Sequence, residues 1–272
     1  MKSVETAMAK PDYRDVIYEE QDGVATITLN RPESLNAIRV GMYEEIIDAI
    51  HRAGWNKTIG VIVLTGSGTR AFCVGGDTSD TKSERSSQGI TGVPLDRLHA
   101  AIRDVPKPVI AKVRGYAIGG GNVLATLCDM TIAAQSAVFG QVEPRVGSVD
   151  TGFGTAYLSR VIGEKRAREM WFLCRRYSAE QAERMGLVNV VVADESLDTE
   201  VAKWCSEILT MSPTALAIAK ASFNADSDGI KGISAMGLHA VALYYATDEA
   251  KEAGKSFREK RKPVFRAAPA SR

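Results

Sequence analysis

Short runs of β-branched residues alternate with segments of helical periodicity along the first two thirds of the chain. Five of these runs predict strands: residues 24–29, 59–65, 108–113, 130–134 and 187–192. Three segments between them predict helices: residues 42–53, 95–102 and 120–127. Gly54 is expected to end the first helix. The run at 59–65 is apolar at nearly every position, as in a sheet covered on both faces. The alternation therefore predicts an α/β fold with right-handed parallel crossovers.

The pattern changes after Asp194. Three long helical patterns follow, at residues 197–211, 213–224 and 230–246, and then a basic tail. They carry apolar residues on more than one face, which indicates packing on the core or on another subunit. Residues 1–195 are thus expected to form the core and residues 196–272 a helical region. Within the expected core, the polar stretch from Thr78 to Gly92 predicts a mobile surface loop.

Composition narrows the class of protein. The 272 residues include 34 Lys and Arg against 33 Asp and Glu, so the formal net charge of +1 provides no field for nucleic acid or an anionic membrane. No apolar run is long enough to span a bilayer and the N-terminus lacks a signal-peptide core, so the expected location is cytoplasmic. The four dispersed cysteines argue against a zinc site or disulfides, and the three histidines are interpreted as surface or packing residues.

Two glycine clusters are the first candidates for chemistry: residues 72–77 (FCVGGD) and 115–122 (GYAIGGGN). Glycine allows the backbone to approach a ligand closely, and a helix N-terminus presents free N–H groups to negative charge, so together the loops could form an oxyanion hole. Each is equally consistent with an ordinary strand-to-helix turn. Neither has the glycine spacing of a nucleotide-binding loop.

The glycine-rich segment at residues 139–155 places two carboxylates, Glu143 and Asp150, between a strand and a helix. A carboxyl group serves as a general base or acid once its surroundings adjust its pKa. Two structural roles are also open, because Asp150 could cap the following helix and Glu143 could pair with Arg145.

These segments, in this order, resemble the crotonase (enoyl-CoA hydratase/isomerase) superfamily from about Tyr13 to about Phe265. The matching blocks are NRPE with Asn36-Ala37, residues 71–77, KPVIA at 107–111, Gly119-Gly120-Gly121, Phe139-Gly140-Gln141 and the stretch from Ala182 to Val188. The resemblance implies a crotonase-like spiral of stacked ββα turns and a homotrimer or homohexamer formed through the C-terminal helices. It also implies an acyl-CoA substrate, with no metal, redox cofactor, nucleic acid or membrane.

The resemblance also implies roles for individual residues. The N–H groups of Gly76 and Gly120 would hold an enolate oxyanion, Asp150 would be the acid/base, Ser148 a hydrogen-bond partner for substrate and Tyr245 a phenol at the reacting carbonyl. Glu143 stands where hydratases of the family carry the second of their two glutamates. The residues implied to bind the CoA thioester are Leu35, Ala37, Val74, Gly75, Asp77, Thr78, Tyr116, Ile118, Gly119, Gln141, Val142 and, from an adjacent subunit, Lys260.

The likeness also bears on the reaction. Hydratases of the family carry a Glu two residues after the Gly-Gly-Gly run, where this chain has Val123, so simple hydration is disfavoured, although an isomerase could use Glu143 alone. The segments at 147–154, 167–177 and 244–249 are most similar to 2-ketocyclohexanecarboxyl-CoA hydrolase and 1,4-dihydroxy-2-naphthoyl-CoA synthase. The absence of aromatic residues after Asp77 favours the ring hydrolase, which cleaves a carbon–carbon bond of a cyclic β-keto acyl-CoA. Two residues depart from the pattern, since Glu143 replaces the usual glycine of both relatives and Thr151 replaces the proline or glycine after the aspartate. Some synthases carry a carboxylate at the Glu143 position, which keeps the synthase open.

Overall fold

A computed structural model describes the protein over residues 11–77 and 90–265. The strands are Val16–Gln21 (β1), Val24–Leu29 (β2), Val61–Gly66 (β3), Ala71–Cys73 (β4), Val109–Val113 (β5), Tyr116–Ile118 (β6), Met130–Ala134 (β7), Val138–Gly140 (β8), Arg176–Ser178 (β9) and Val190–Val192 (β10). The α-helices are Val40–Trp55 (α1), Leu95–Asp104 (α2), Gly120–Leu127 (α3), Glu143–Val146 (α4), Leu158–Ile162 (α5), Glu164–Leu173 (α6), Ala179–Arg184 (α7), Leu197–Leu209 (α8), Pro213–Ala225 (α9), Gly229–Tyr245 (α10) and Asp248–Arg258 (α11). The loop predicted at 78–92 lies almost wholly outside the described residues.

From β3 to β8, successive strands alternate between two sheets. The larger has the order β1-β2-β3-β5-β7-β10, and the smaller has the order β4-β6-β8-β9. Pairing is parallel except at β1 with β2 and at β8 with β9. One turn of the chain is β3, β4 and α2, and the next is β5, β6 and α3, so each turn adds a strand to both sheets and then a helix. This confirms the predicted α/β fold with a ββα spiral core.

The strand β3 shows why the pattern forms a buried sheet. Ile62 and Leu64 belong to the main core beneath α1, whereas Val61 and Val63 pack in a second cluster with Leu197 and other residues of α8. Side chains of a strand alternate between faces, so a strand covered on both sides must be apolar at nearly every position. The prediction from the run at 59–65 is therefore confirmed. The division at residues 195 and 196 stays a prediction.

Three details differ from the predictions. The helix α1 continues through Gly54 to Trp55, and a Cβ at Gly54 would lie 2.8 Å from Cγ2 of Val105, so this glycine makes room for a neighbour instead of ending the helix. The strand predicted at 187–192 forms only over Val190–Val192. The tail after the third predicted helix includes a further helix, α11.

The C-terminal helices leave apolar side chains uncovered. Within α9, which is described in full, Lys220 is the only buried residue, whereas Ile218 and Phe223 are 65% and 80% exposed. Met236 and Leu243 on α10 are exposed to a similar degree. That these helices pack on a neighbour stays a prediction. No helix in the described ranges is both long and apolar enough to cross a membrane.

Candidate active site

The two glycine clusters meet at the point where β4 and β6 end. A Cβ at Gly75 would lie 2.9 Å from the backbone nitrogen of Gly120, so the loops approach at a distance that only glycine permits. Gly76 forms a parallel bridge with Ile38 that uses the Gly75 carbonyl and the Asp77 N–H, leaving the Gly76 N–H out of the bridge. Gly120 is the first residue of α3, so its N–H has no partner within the helix. Two backbone donors therefore lie side by side.

A polar network holds the segment after β2 against these loops. Asn36 is fully buried with a positive φ of 55°, and its amide donates to the carbonyls of Ser67 at 3.0 Å and Ala71 at 2.8 Å. The Arg31 guanidinium donates to the Ala37 carbonyl and to the Asp77 carboxylate, both at 2.7 Å. The network fixes Leu35, Ala37 and Asp77, which are three of the predicted CoA-binding positions, relative to one another.

Glu143 lies beside the second glycine loop. A Cβ at Gly119 would lie 3.1 Å from a carboxylate oxygen of Glu143, and the other oxygen accepts the Val142 N–H at 2.9 Å. The Gln141 amide, oriented as its surroundings require, donates to Glu143 and to the Gly119 carbonyl, each at 3.1 Å. Burial raises the pKa of Glu143 to about 7. Gly119, Gln141 and Val142 therefore surround a carboxyl group that titrates near neutral pH.

Asp150 is the second buried carboxyl group. Its Oδ1 accepts the Gly154 N–H at 3.1 Å, at the start of a π-helical turn over Phe153–Tyr157. The N-cap of that turn is Gly152 and not Asp150, so the predicted capping role is wrong. Burial, and then the charge of Glu143, raise the pKa of Asp150 to about 7, against the lowering effect of the Gly154 N–H. The two carboxyl groups thus interact electrostatically. The alternative pairing of Glu143 with Arg145 does not occur among the ion pairs of the described residues.

Ser148 and Tyr245 come together although they are far apart in the sequence. Their hydroxyl oxygens are 2.8 Å apart, and Tyr245 is at the C-terminal end of α10. Both side chains are half-buried. The contact joins the Asp150 loop, defined here as residues 147–154, to the C-terminal helices, and it places a phenol and a hydroxyl in one hydrogen bond.

The remaining predicted CoA-binding positions lie just after β4, on β6, after α11 or outside the described residues. Lys260 follows α11, is exposed, and has no side-chain hydrogen bond or ion pair within the described parts of this chain. The ring of Tyr116, at the start of β6, is 5.3 Å from the Arg176 guanidinium. Ile118 is buried at the other end of that strand and Val74 is half-buried after β4. Thr78 lies outside the described residues.

Two further side chains reach this region that the sequence did not single out. Tyr43 on α1 is buried, and its hydroxyl would lie 3.5 Å from a Cβ at Gly76. His99 on α2 is 1% exposed, and its Nε2 is 3.8 Å from Oδ2 of Asp150. The only feature of the sequence that could have drawn attention to His99 is its position on the apolar face of α2, beside Leu98 and Ile102. No group of three or more His, Cys, Asp or Glu within residues 11–77 and 90–265 is placed to hold a metal ion.

Comparison with known proteins places this arrangement in a family. The enoyl-CoA hydratase/isomerase family model matches residues 19–268. The chain belongs to the enoyl-CoA hydratase/isomerase family. It is similar to an enoyl-CoA hydratase from Mycobacterium avium subsp. paratuberculosis K-10, with 27% identity, a TM-score of 0.84, and coverage of 94% of this chain and 100% of that one. It is also similar to an enoyl-CoA hydratase/isomerase from Xanthobacter autotrophicus Py2, with 30% identity, a TM-score of 0.81 and coverage of 91% and 94%.

A third similar structure, an enoyl-CoA hydratase subunit from Geobacillus kaustophilus HTA426, is 32% identical with a TM-score of 0.73, and the match covers 94% of this chain and 99% of that one. The protein is therefore a crotonase-family acyl-CoA enzyme with a hydratase/isomerase-like fold. Family membership leaves the reaction to be argued from the site, because one fold carries several chemistries.

Proposed function

We propose that the protein hydrolyses a carbon–carbon bond in a cyclic β-keto acyl-CoA, as 2-ketocyclohexanecarboxyl-CoA hydrolase does. The observation that carries the proposal is the pair of buried carboxyl groups, Glu143 and Asp150, whose pKa values are both raised to about 7. Such groups accept and donate protons at neutral pH. Val123, where hydratases of the family carry their first glutamate, is buried and has no proton to exchange.

The proposed reaction begins with water. Asp150 or Glu143 takes a proton from it, and the hydroxide adds to the ring ketone to give an alkoxide. The bond between that carbon and the α-carbon of the thioester then breaks, forming a carboxylic acid and a thioester enolate. The N–H groups of Gly76 and Gly120 stabilise the enolate oxygen. A protonated carboxyl group or Tyr245 returns a proton to the α-carbon, so one water molecule is consumed and the ring opens.

The remaining residues have supporting roles in this proposal. Ser148, bonded to Tyr245, orients the phenol and contacts the substrate, and the segment from Leu35 to Ala37 with Asp77 lines the CoA side of the site. The reaction as written requires no metal or redox cofactor, because the thioester carbonyl accepts the electron pair of the broken bond.

An enoyl-CoA hydratase or isomerase is the second candidate function. The similar structures carry these names. In addition, Glu143 lies beside Gly119 and the paired backbone donors. A base that acts on the α-carbon of a linear thioester would occupy such a position. A 1,4-dihydroxy-2-naphthoyl-CoA synthase is related chemically, since its intramolecular Claisen condensation runs in the opposite direction. In that case Glu143 would replace bicarbonate as the base.

We also propose that the enzyme assembles as a homotrimer or homohexamer. The support is the set of exposed apolar side chains on α9 and α10. In such an assembly Lys260, which is exposed at the end of α11, would bind the CoA of an adjacent subunit.

The experiment that tests the reaction is product analysis by mass spectrometry with two substrates, 2-ketocyclohexanecarboxyl-CoA and o-succinylbenzoyl-CoA. We expect pimeloyl-CoA from the first and no product from the second. Asp150→Asn should lower turnover at least a hundredfold, as removal of a general acid or base does, whereas Asp198→Asn, the same change on the surface of α8, should not. A naphthoyl-CoA product would identify a synthase instead. Turnover of linear enoyl-CoAs alone would identify a hydratase or isomerase.

A further inference from the structure

His99 and Asp150 form an isolated contact between α2 and the Asp150 loop. The His99 Nε2 atom is 3.8 Å from Oδ2 of Asp150, and both side chains are more than nine-tenths buried. The Oδ1 atom of Asp150 is already bonded to the Gly154 N–H, so Oδ2 is the oxygen available for proton transfer. His99 is thus adjacent to the atom on which the proposed acid/base chemistry depends.

The surroundings of His99 determine its charge. Desolvation by burial lowers the pKa of the imidazole to about 3, so His99 is neutral at physiological pH. The edge-to-face contact with Phe153, at 5.4 Å between ring centroids, adds an apolar wall. His99 therefore brings a hydrogen-bonding group to Asp150 without a charge of its own.

The surroundings also determine its tautomer. Nδ1 is buried and has no hydrogen-bond partner among the described residues. A proton there would be an unpaired buried donor, and it would leave the Nε2 lone pair facing a carboxylate oxygen. The tautomer with the proton on Nε2 avoids both penalties, and it directs an N–H towards Oδ2.

We propose that His99 is a positioning residue that donates its Nε2–H to Oδ2 of ionised Asp150 and so fixes the direction of that oxygen in the site. This inference rests on the proposed acid/base role of Asp150. At 3.8 Å the atoms must approach by about 0.8 Å to form a hydrogen bond. Ionisation of Asp150 favours this approach, because a hydrogen bond to a charged acceptor is shorter and stronger than a neutral one.

Other titratable groups lie on α4, on α2 and on the elements packed on α2. Among them are Glu143, Arg103, Tyr157, Tyr43, Lys220 and Lys231. The charge of Glu143 raises the pKa of Asp150. Arg103, one turn along α2, donates to Tyr157 and Ser227, and Lys220 and Lys231 are paired with Asp129 and Asp104. Glu143 therefore opposes the ionisation of Asp150, and a donor at His99 supports it.

The test compares side chains that do or do not reach Oδ2. Gln places its amide at the position of Nε2, whereas Asn places it at the position of Nδ1, so His99→Gln should retain the donor and His99→Asn should lose it. His99→Leu removes all polarity. His51→Gln, on the exposed surface of α1, is the matched control.

The first measurement is an infrared pH titration of the protonated Asp150 carboxyl group, identified as the band that Asp150→Asn lacks. A charge-assisted hydrogen bond is stronger than a neutral one, so its loss should raise the midpoint by about one pH unit in His99→Leu and His99→Asn. His99→Gln and His51→Gln should keep the midpoint of the parent protein. A purely structural role would change the melting temperature but would not separate Gln from Asn in this way.

The second measurement is the pH profile of kcat/KM with the cyclic β-keto acyl-CoA. A carboxyl group half ionised near pH 7 would be about one-tenth ionised after such a shift, so His99→Leu should lose roughly fivefold at pH 7 and recover at higher pH. Equal midpoints for all four variants, or equal shifts for Gln and Asn, would overturn the inference. Because the infrared titration needs no substrate, it still decides the role of His99 if pimeloyl-CoA never forms.

Discussion

Asp150 is subject to opposing effects that leave it titrating near neutral pH. Burial and the charge of Glu143 raise its pKa to about 7, while the Gly154 N–H lowers it. An unfolded aspartate titrates near 3.9. Between these pH values the folded state holds more protons than the unfolded state, so the free energy of unfolding falls as pH rises through this window. Above pH 7 Asp150 is charged in the folded protein, so its burial lowers the free energy of unfolding by the full amount. Below pH 4 the carboxyl group is protonated in the folded and the unfolded state, and this effect disappears.

Replacing this carboxyl group should therefore stabilise the protein where it is charged. Asp150→Asn keeps an oxygen for the Gly154 N–H and removes the charge, so we expect its Tm to exceed that of the parent protein by several degrees at pH 8. This corresponds to roughly 1–3 kcal/mol at about 2–4 °C per kcal/mol. The difference should shrink towards pH 4. Calorimetry across this range checks it, with Asp198→Asn expected to show no such trend. A lower Tm for Asp150→Asn at pH 8 would mean that the fold stabilises the ionised form.

At the scale of elements, the C-terminal helices hold the Asp150 loop in place by close contact. A Cβ at Gly147 would lie 2.6 Å from the Ala250 carbonyl oxygen, and one at Gly152 would lie 2.7 Å from the Ser234 Cβ. Both glycines have positive φ values, of 81° and 74°. With the bond between Ser148 and Tyr245, these contacts make α10 and α11 the support of the acid/base segment.

A still closer contact between α10 and the Asp150 loop gives a direct test. A Cβ at Gly237 on α10 would lie 2.0 Å from the Thr151 hydroxyl oxygen, next to Asp150, so Gly237→Ala must displace the loop. We expect a loss of about 1–3 kcal/mol in stability, as for overpacked cores, together with a fall in kcat. Gly232→Ala is the matched control, because it lies on the same helix with nothing within 4 Å and should gain up to about 1 kcal/mol. Denaturant unfolding and turnover are measured for both. Equal stability of the two variants would show that the loop yields freely.

Short runs of apolar and β-branched residues could be predicted as strands from the sequence, and β2 and β7 have the predicted bounds. The helix α11 could not, because its buried face consists of Ala250, Ala253 and Ser256, which give no hydrophobic periodicity. The glycine loops and both carboxyl groups were visible as unusual local composition.

The environment of the carboxyl groups was not predictable. His99 approaches Asp150, and Gly237 approaches Thr151, only because the spiral stacks segments that are distant in the chain. A histidine on an apolar helix face is typical of packing. The contact that gives it a chemical neighbour depends on tertiary structure alone.

At the scale of the whole molecule, exposed apolar side chains are concentrated on the C-terminal helices. Phe223 on α9 and Met236 and Leu243 on α10 are 80%, 71% and 75% exposed. Burying such side chains against a second copy contributes roughly 1.5–3 kcal/mol each. The C-terminal helices also support the Asp150 loop, so assembly would stabilise the position of that loop as well.

This surface predicts the oligomeric state and what depends on it. We expect sedimentation to show a trimer or hexamer, and Phe223→Glu to dissociate it, because a buried carboxylate has no partner in an apolar interface. Trp55→Glu is the matched control, since Trp55 on α1 is 81% exposed but outside the C-terminal helices. If Lys260 binds the CoA of a neighbouring subunit, dissociation by Phe223→Glu should raise KM for the thioester more than it lowers kcat. If Trp55→Glu dissociates the assembly and Phe223→Glu leaves it intact, the interface lies on the face of α1 instead. Dissociation by Phe223→Glu without a change in KM would instead show that each chain completes its own CoA site.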